Sequence, residues 1–252
     1  MHSTHPNSAI NALKEDLGRG DITTKSIITE KEQCSTVNAV IICKQNAVIS
    51  GLDAAEKVFE YHDKKTEFKR LVSDGDFVKA GSIIAKVKGK AKSILACERT
   101  ALNFLQHLSG ISTAANCFTD TVRRYGVEVF DTRKTTPGLR ILEKASANAG
   151  GITNHRKSLD ETVFIKDNHI RIAGDKIEAR LRQLKNAGFA AGKRTGNEII
   201  IEATSLKQVR RFMDWPVDII LLDNMSPEKV RRAVKIVGGK KTLEASGGIS
   251  IN

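Results

Sequence analysis

Charged and small polar residues follow five predicted strands in the second half of the chain, and their types suit the binding of a strongly anionic molecule. Arginine holds a carboxylate or phosphate through two parallel hydrogen bonds, and lysine adds a compact positive charge. Backbone N–H groups of a Ser-Gly-Gly turn can cradle a phosphate. The residues at these positions are Arg133, Lys134, His155, Arg156, Lys166, Glu202, Asp223, Ser246, Gly247 and Gly248.

The cations outnumber the acids in this set, so the predicted site is positively charged. Glu202 and Asp223 are too few to neutralise the cations, and they suit sugar hydroxyls or a Mg²⁺ ion. No Ser/His/Asp or Cys/His combination occurs in a context typical of a covalent nucleophile. We therefore predict a site that binds an anionic substrate and stabilises charge without covalent catalysis.

The strands that precede these residues alternate with helices. The predicted strands, all short and apolar, are 127–130, 163–165, 199–201, 217–222 and 242–245. The predicted helices between and after them are 138–149, 175–187, 206–212 and 227–234. This alternation indicates a parallel sheet or barrel with fewer strands than a full eight-stranded barrel. Because α/β barrels carry their active sites at the carboxyl ends of the strands, the residues named above are predicted to share one rim.

The first half of the chain has short β-branched stretches separated by turns. Predicted strands lie within 36–51 and at 71–72, 77–78 and 82–87, and predicted helices lie at 9–17 and 53–61. From residue 97 to 125 apolar residues recur every three or four positions. One helical segment is therefore predicted to cross the boundary between two domains, 1–110 and 111–252, with Gly110 as a candidate interruption.

Composition narrows the class of partner. Lys and Arg number 41 and Asp and Glu number 29, so the net charge is +12, which fits nucleic acid, an acidic small substrate or a basic surface. Aromatic residues make up only 5% of the chain, which disfavours base stacking and nucleic-acid binding. The four cysteines form no CxxC pair. With neither a secretory signal nor an apolar run of about 18 residues, we expect a cytoplasmic protein that does not bind membranes.

A second stretch imitates a phosphate-binding loop. Residues 188–195 read GFAAGKRT, but the two glycines are one residue too close and Arg194 stands where Ser or Thr belongs. The stretch also follows a predicted helix instead of a strand, so we do not interpret it as a phosphate loop.

Several stretches match the motifs of one known family. The longest are DTRKTTPGLR at 131–140 and ERTALNFLQHLSGI at 98–111. The shorter ones are EDLGRGDITT at 15–24, DGDFVKAG at 74–81, NHR at 154–156, IKDNHI at 165–170, LLDN at 221–224 and SGG at 246–248. In these motifs and their order, the chain closely resembles the quinolinate phosphoribosyltransferases (carboxylating nicotinate-nucleotide pyrophosphorylases).

The resemblance implies a fold and a reaction. The family's fold is an N-terminal open α/β sandwich followed by an incomplete α/β barrel, in a homodimer. Its reaction joins quinolinate to 5-phosphoribosyl 1-diphosphate and releases diphosphate and CO₂, with Mg²⁺, to form nicotinate mononucleotide in de novo NAD synthesis. The partners it implies are therefore small molecules and a second copy of the chain.

The resemblance also implies roles for individual residues. Arg133, His155 and Arg156 would hold quinolinate, joined by Arg99 from the neighbouring subunit. Lys134 and Lys166 would contact the phosphorylated sugar or its diphosphate, with Glu202 and Asp223 at the ribose hydroxyls and the Mg²⁺ complex. The turn of Ser246, Gly247 and Gly248 would lie at the 5-phosphate. The resemblance implies no direct protein ligand set for Mg²⁺, which is bound through the substrate diphosphate. Lys144 matches a basic position of the family pattern.

Three alternatives remain at this point. Family members usually continue a few dozen residues past Ser-Gly-Gly, so the chain could be a truncated, catalytically silent paralogue that binds an anionic metabolite. It could instead be a nucleic-acid binder that uses its basic surface. A relative of the same fold could act on another pyridine.

Overall fold

The computed structural model of the chain describes residues 5–187 and 198–251. Contacts group the chain into two compact units, Met1–His155 and Arg156–Asn252. The stretch at 188–195 that imitates a phosphate loop lies outside the described residues. None of the described helices combines the length and the apolar character needed to cross a membrane.

The first unit combines helices with two small antiparallel sheets. Its helices are α1 (His5–Leu17), α2 (Ile22–Ile27), α3 (Glu30–Gln33), α4 (Leu52–His62), α5 (Ala91–Val122) and α6 (Arg140–Ala149). Its strands are β1 (Thr36–Ile42), β2 (Ala47–Val48), β3 (Glu67–Arg70), β4 (Phe77–Val78) and β5 (Ile83–Lys90). β5 pairs with β1 on one side and β3 on the other, and β2 pairs with β4.

The long helix α5 organises the core of this unit. It continues without a break through Gly110, so the predicted helical segment is confirmed and the candidate interruption is not. Leu108 approaches Gly51 so closely that a Cβ there would lie 2.8 Å from Leu108 Cδ1. The hydroxyl of Ser112 donates to the carbonyl of Val48 at 2.7 Å, which ties the helix to β2. The domain ranges 1–110 and 111–252, whose boundary falls inside α5, stay a prediction.

The second unit is a parallel sheet with helical connections. Its described helices are α7 (Asp167–Ala173), α8 (Ile177–Asn186), α9 (Leu206–Phe212) and α10 (Pro227–Val237). Its described strands are β6 (Val163–Ile165), β7 (Ile199–Ala203), β8 (Ile219–Asp223) and β9 (Thr242–Ser246), and they pair in parallel in the order β6-β7-β8-β9. Parallel pairing brings the carboxyl ends of all these strands to one edge.

The two faces of this sheet differ because successive side chains point in opposite directions. Ile199, Ile201 and Ala203 of β7 join the larger core, which also contains Phe212 of α9. On the other face Ile200, Ile219 and Leu221 form a small cluster, and Phe164 packs against it. Glu202 lies two residues after Ile200 on the same strand, so it shares this second face.

Two predicted strands need correction. Residues 127–130 form no strand, because Phe130 pairs only with Thr153 in an isolated parallel bridge, and a single paired residue cannot build a ladder. The strand predicted at 71–72 is also wrong: β3 ends at Arg70. The other predicted strands and helices are present, with ends shifted by a few residues, and α2, α3 and α7 are helices that the sequence did not predict.

Candidate anion-binding site

In the first unit the carboxylate of Asp131 connects three segments that surround two predicted site residues. Its Oδ1 pairs with Nζ of Lys144 on α6 and accepts a hydrogen bond from the backbone N–H of His155 at 2.8 Å. Its Oδ2 accepts from Nδ2 of Asn154 at 2.8 Å. The side chains of Lys144 and Asp131 are only 3% and 10% exposed, so this is a buried ion pair with further hydrogen bonds. Asp131 thereby fixes the backbone at His155. Asp131 itself stands two residues before Arg133 in the sequence.

Two further side chains of α6 hold the loop that carries Arg133 and Lys134. Nε of Arg140 donates to Oγ1 of Thr135 at 3.1 Å. Glu143 accepts from the backbone N–H of Thr136 at 3.0 Å, and its other oxygen lies 2.9 Å from Nε2 of His107. Burial raises the pKa of Glu143, but hydrogen bonds from Thr136 and His107 outweigh it and bring the pKa below its usual 4.5. The loop is therefore anchored to a helix.

Arg133 has an unsatisfied donor. Its Nε is buried and finds no hydrogen-bond partner among the residues that the structure describes. A buried N–H without a partner costs about 1–3 kcal/mol, so a carboxylate or phosphate oxygen that reaches Nε would recover this energy. Lys134, the next residue, is exposed. His155 presents its ring edge-to-face to Phe130, with the centroids 6.2 Å apart.

In the second unit the cations cluster around one aromatic ring. Cζ of Arg156 lies 4.5 Å from the centroid of the Phe164 ring, and Nζ of Lys166 lies 5.5 Å from it. Lys166 directly follows β6, and its Nζ also lies 3.2 Å from Oε1 of Glu202 on β7. The structure thus places Lys166 beside Glu202 at the carboxyl ends of β6 and β7, and Arg156 beside the ring of Phe164 in β6.

Asp223 and the Ser-Gly-Gly turn meet at the ends of β8 and β9. The hydroxyl of Ser246 donates to Oδ1 of Asp223 at 3.0 Å, and the backbone N–H of Asn224 donates to the carbonyl of Ser246 at 2.9 Å. Gly247 and Gly248 have φ angles of 83° and 66°. A Cβ at Gly247 would overlap Oδ1 of Asn224, so glycine is required there on two grounds. The rim predicted from the sequence is present on β6 to β9.

Arg99 lies on α5, the long helix of the first unit. It occupies an exposed position on α5, and its guanidinium makes no hydrogen bond or ion pair with the described residues. Its predicted role at a neighbouring subunit stays a prediction.

The sequence did not indicate three residues that contact candidate residues, two of them in the first unit and one in the second. They are Asp131, Asn154 and Phe164, which hold His155, Arg156 and Lys166 in place. Asp131 and Asn154 belong to polar motifs, so the sequence could have predicted them as candidate site residues. Phe164 gives no such signal, because an apolar residue in a strand is expected to be core.

Comparison with known proteins agrees with this architecture. The N-terminal domain of quinolinate phosphoribosyl transferase matches residues 21–109, and the C-terminal domain of the same family matches residues 111–252. A probable nicotinate-nucleotide pyrophosphorylase (carboxylating) of Synechocystis sp. is 36% identical over 242 residues, which are 95% of this chain and 79% of the relative.

Solved structures are similar over the same length. The nicotinate-nucleotide pyrophosphorylase of Francisella tularensis has a TM-score of 0.88 and 34% identity, covering 98% of this chain and 84% of that one. The corresponding protein of Ehrlichia chaffeensis has a TM-score of 0.87 and 39% identity, covering 97% of this chain and 86% of that one.

The fold defines an α/β protein in which Lys166, Glu202, Asp223 and the Ser246 turn lie at the carboxyl edge of a parallel sheet. The comparisons add that the chain belongs to the quinolinate phosphoribosyltransferase family. The resemblance stated from the motifs is confirmed, and so is the fold class, an open α/β sandwich followed by an incomplete α/β barrel.

Proposed function

We propose that this chain transfers a phosphoribosyl group from 5-phosphoribosyl 1-diphosphate to quinolinate, giving nicotinate mononucleotide, diphosphate and CO₂ in NAD biosynthesis. Family membership supports the reaction class. The main structural support for an anionic substrate is Nε of Arg133, which is buried and has no partner among the described residues; a carboxylate of quinolinate can supply the acceptor it lacks. Neither the comparisons nor the described contacts support a silent paralogue.

Each group of cations takes one part of the substrates in this proposal. Arg133, His155 and Arg156 bind the two carboxylates of quinolinate. Lys134 and Lys166 bind the diphosphate, and the turn at Gly247 and Gly248 binds the 5-phosphate through backbone N–H groups. Glu202 and Asp223 accept hydrogen bonds from the ribose hydroxyls. Both carboxylates are already oriented, Glu202 by Lys166 and Asp223 by Ser246.

Two chemical steps follow. The pyridine nitrogen forms a bond to the anomeric carbon while the bond to the diphosphate oxygen breaks, and Lys134 and Lys166 stabilise the charge that develops on the leaving group. The ring nitrogen is now cationic, so it stabilises the electron pair left on the adjacent ring carbon when that carbon's carboxylate leaves as CO₂. A solvent proton then occupies the vacated position. Positioning by Arg133 and Arg156 brings the reacting atoms together.

Mg²⁺ is also part of the proposal. The described residues contain no group of three or more His, Cys, Asp or Glu side chains that could hold a metal ion. Two carboxylates, Glu202 and Asp223, are available at the rim, and hard oxygen donors of this kind suit a Mg²⁺ ion that keeps substrate phosphates as its main ligands. Bound in this way, Mg²⁺ would neutralise charge on the diphosphate.

We further propose a homodimer in which Arg99 of one subunit completes the site of its neighbour. The exposed position of Arg99, whose guanidinium has no partner among the described residues, supports this role. A cytoplasmic location is proposed as well, because the four cysteines are free thiols.

The test is direct turnover by the purified chain. We would incubate it with 5-phosphoribosyl 1-diphosphate, Mg²⁺ and either quinolinate or nicotinate, and separate the nucleotide product by chromatography. Product and CO₂ from quinolinate alone are expected. Product from nicotinate alone would identify a relative that acts on another pyridine, and quinolinate binding without turnover would favour the silent paralogue.

A further inference from the structure

The ring of Phe164 is the common partner of two site cations. The guanidinium of Arg156 and the ammonium of Lys166 lie 4.5 Å and 5.5 Å from its centroid. Both distances are inside the range of about 6 Å in which the negative face of an aromatic ring attracts a cation. Phe164 is half-buried, and it packs against the cluster of Ile200, Ile219 and Leu221.

Packing alone does not require an aromatic residue at this position. The neighbours of Phe164 on this face of the sheet are aliphatic, and a leucine or isoleucine would extend the same cluster. What a ring adds is an electrostatic face that can be shared by two cations. Two like charges beside one ring repel each other, so an anion that binds to both of them lowers this repulsion.

A ring also holds a cation differently from a carboxylate. It attracts the charge through its quadrupole and does not neutralise it, so the cation remains able to bind an incoming anion. Lys166 shows both kinds of partner, since Glu202 binds it as well. The contacts of Arg156 include the ring and the carbonyl of Thr162, which lies 3.3 Å from Nη1.

We propose that Phe164 is a positioning residue that holds Arg156 and Lys166 ready for a doubly anionic substrate. The proposal rests on the proposed function of the site and adds to it an electrostatic role for an apolar side chain. Each arginine or lysine loses rotamer freedom when it binds a ligand, and a cation already held over a ring has less freedom left to lose. Affinity for quinolinate and for the phosphorylated substrate should therefore depend on the electron density of this ring.

Stepwise fluorination of the ring tests this dependence. Phenylalanine analogues with one, two and three fluorine atoms at position 164 keep nearly the same volume and progressively weaken the negative face. Calorimetry should show the Kd for quinolinate and for 5-phosphoribosyl 1-diphosphate rising at each step, by about 3- to 30-fold in total. Thermal unfolding should stay unchanged across the series. The same series at Phe212, a buried ring that packs against Trp215, is the matched control.

Phe164→Leu distinguishes the electrostatic contribution of the ring from its contribution to packing. The variant should keep the unfolding temperature within a few degrees and still bind both substrates as weakly as the trifluorinated ring. Affinities that do not change along the fluorine series would overturn the proposal, whatever Phe164→Leu does.

Inorganic diphosphate is a third probe, and it separates this proposal from the proposed function. If the unmodified chain binds diphosphate but not quinolinate, and fluorination of Phe164 weakens the binding of diphosphate, the substrate assignment fails and the role of Phe164 stands. If the unmodified chain binds none of the three anions, both proposals are wrong.

Discussion

Asp131 and Lys144 form an ion pair that is almost completely removed from solvent, and the same carboxylate receives the backbone N–H of His155. The pair therefore links α6 to a residue of the candidate site. Removing one partner leaves a buried charge without compensation, whereas replacing both by apolar groups of similar size can be nearly neutral for stability.

This difference allows a test of the pair. Asp131→Leu alone should destabilise the chain by about 3–5 kcal/mol, because Lys144 remains buried and charged. The double variant Asp131→Leu/Lys144→Met should recover part of that stability in urea unfolding, since the buried charge is removed but the N–H of His155 still lacks its acceptor. It should still show a KM for quinolinate raised about 10-fold or more, because the acceptor for the His155 N–H is gone. The exposed pair of Asp120 and Arg123, replaced in the same way, is the control. A double variant with normal KM would show that the pair is only structural.

Arg133→Lys tests whether the guanidinium of Arg133 binds quinolinate. Lysine keeps the charge and loses the planar pair of donors that includes the buried Nε. We expect kcat/KM for quinolinate to fall by about 100-fold with little change in unfolding temperature. Arg123→Lys, at an exposed ion pair of the same unit, should have no effect. Near-normal activity of Arg133→Lys would contradict the assignment.

Gly247→Ala tests the phosphate turn. The added Cβ would overlap Oδ1 of Asn224 and sit on a backbone with φ 83°. We expect the KM for 5-phosphoribosyl 1-diphosphate to rise about 10- to 100-fold, and the KM for quinolinate to change less. Gly239→Ala is a matched control, since it has φ 77° and open space for the Cβ. Equal effects of both substitutions would mean that backbone strain alone is responsible.

Glu143, which accepts a hydrogen bond from the loop at Thr136, should make the stability of the folded chain depend on pH. Its pKa is below the usual 4.5, because hydrogen bonds from Thr136 and His107 outweigh the effect of burial. A carboxylate with a lowered pKa stabilises the folded state above its unfolded pKa, and this contribution is lost as the pH falls through the folded value. Glu143→Gln should therefore cost about 1 kcal/mol at pH 7, and the difference from the unmodified chain should shrink below pH 4.5. Urea unfolding of the variant and of the unmodified chain, at pH 7 and below pH 4.5, measures this difference in the free energy of unfolding. Glu128→Gln, at an exposed carboxylate, should show no such difference.

Mixed dimers test the role of Arg99. Arg99→Ala and Lys134→Ala should each be inactive alone, because each removes one part of every site. If a neighbour supplies Arg99, mixing the two variants should restore roughly a quarter of the activity, since half of the dimers are mixed and each has one intact site. Activity that does not return after exchange of subunits would place both residues in the site of one subunit.

The class of fold, the family and the edge of the sheet that carries the candidate residues could all be predicted from the order of the amino acids. Alternation of short apolar strands with helices predicts a parallel sheet, and parallel strands end at one edge by geometry. For that reason the pattern of residues alone places Lys166, Glu202, Asp223 and Ser246 at one rim. Their types then indicate an anionic substrate.

The contacts that hold the candidate side chains in place could not be predicted in this way. Asp131 and Lys144 are 13 positions apart in sequence, and their pairing depends on how α6 packs against the loop. The strand predicted at 127–130 is reduced to a bridge at Phe130 because pairing needs a partner segment, which local sequence does not specify. Phe164 looks like any core residue of a strand until Arg156 and Lys166 are seen beside its ring. Local patterns fix which face a residue takes, but contacts between distant segments are set by packing, and these contacts decide which residues position the site.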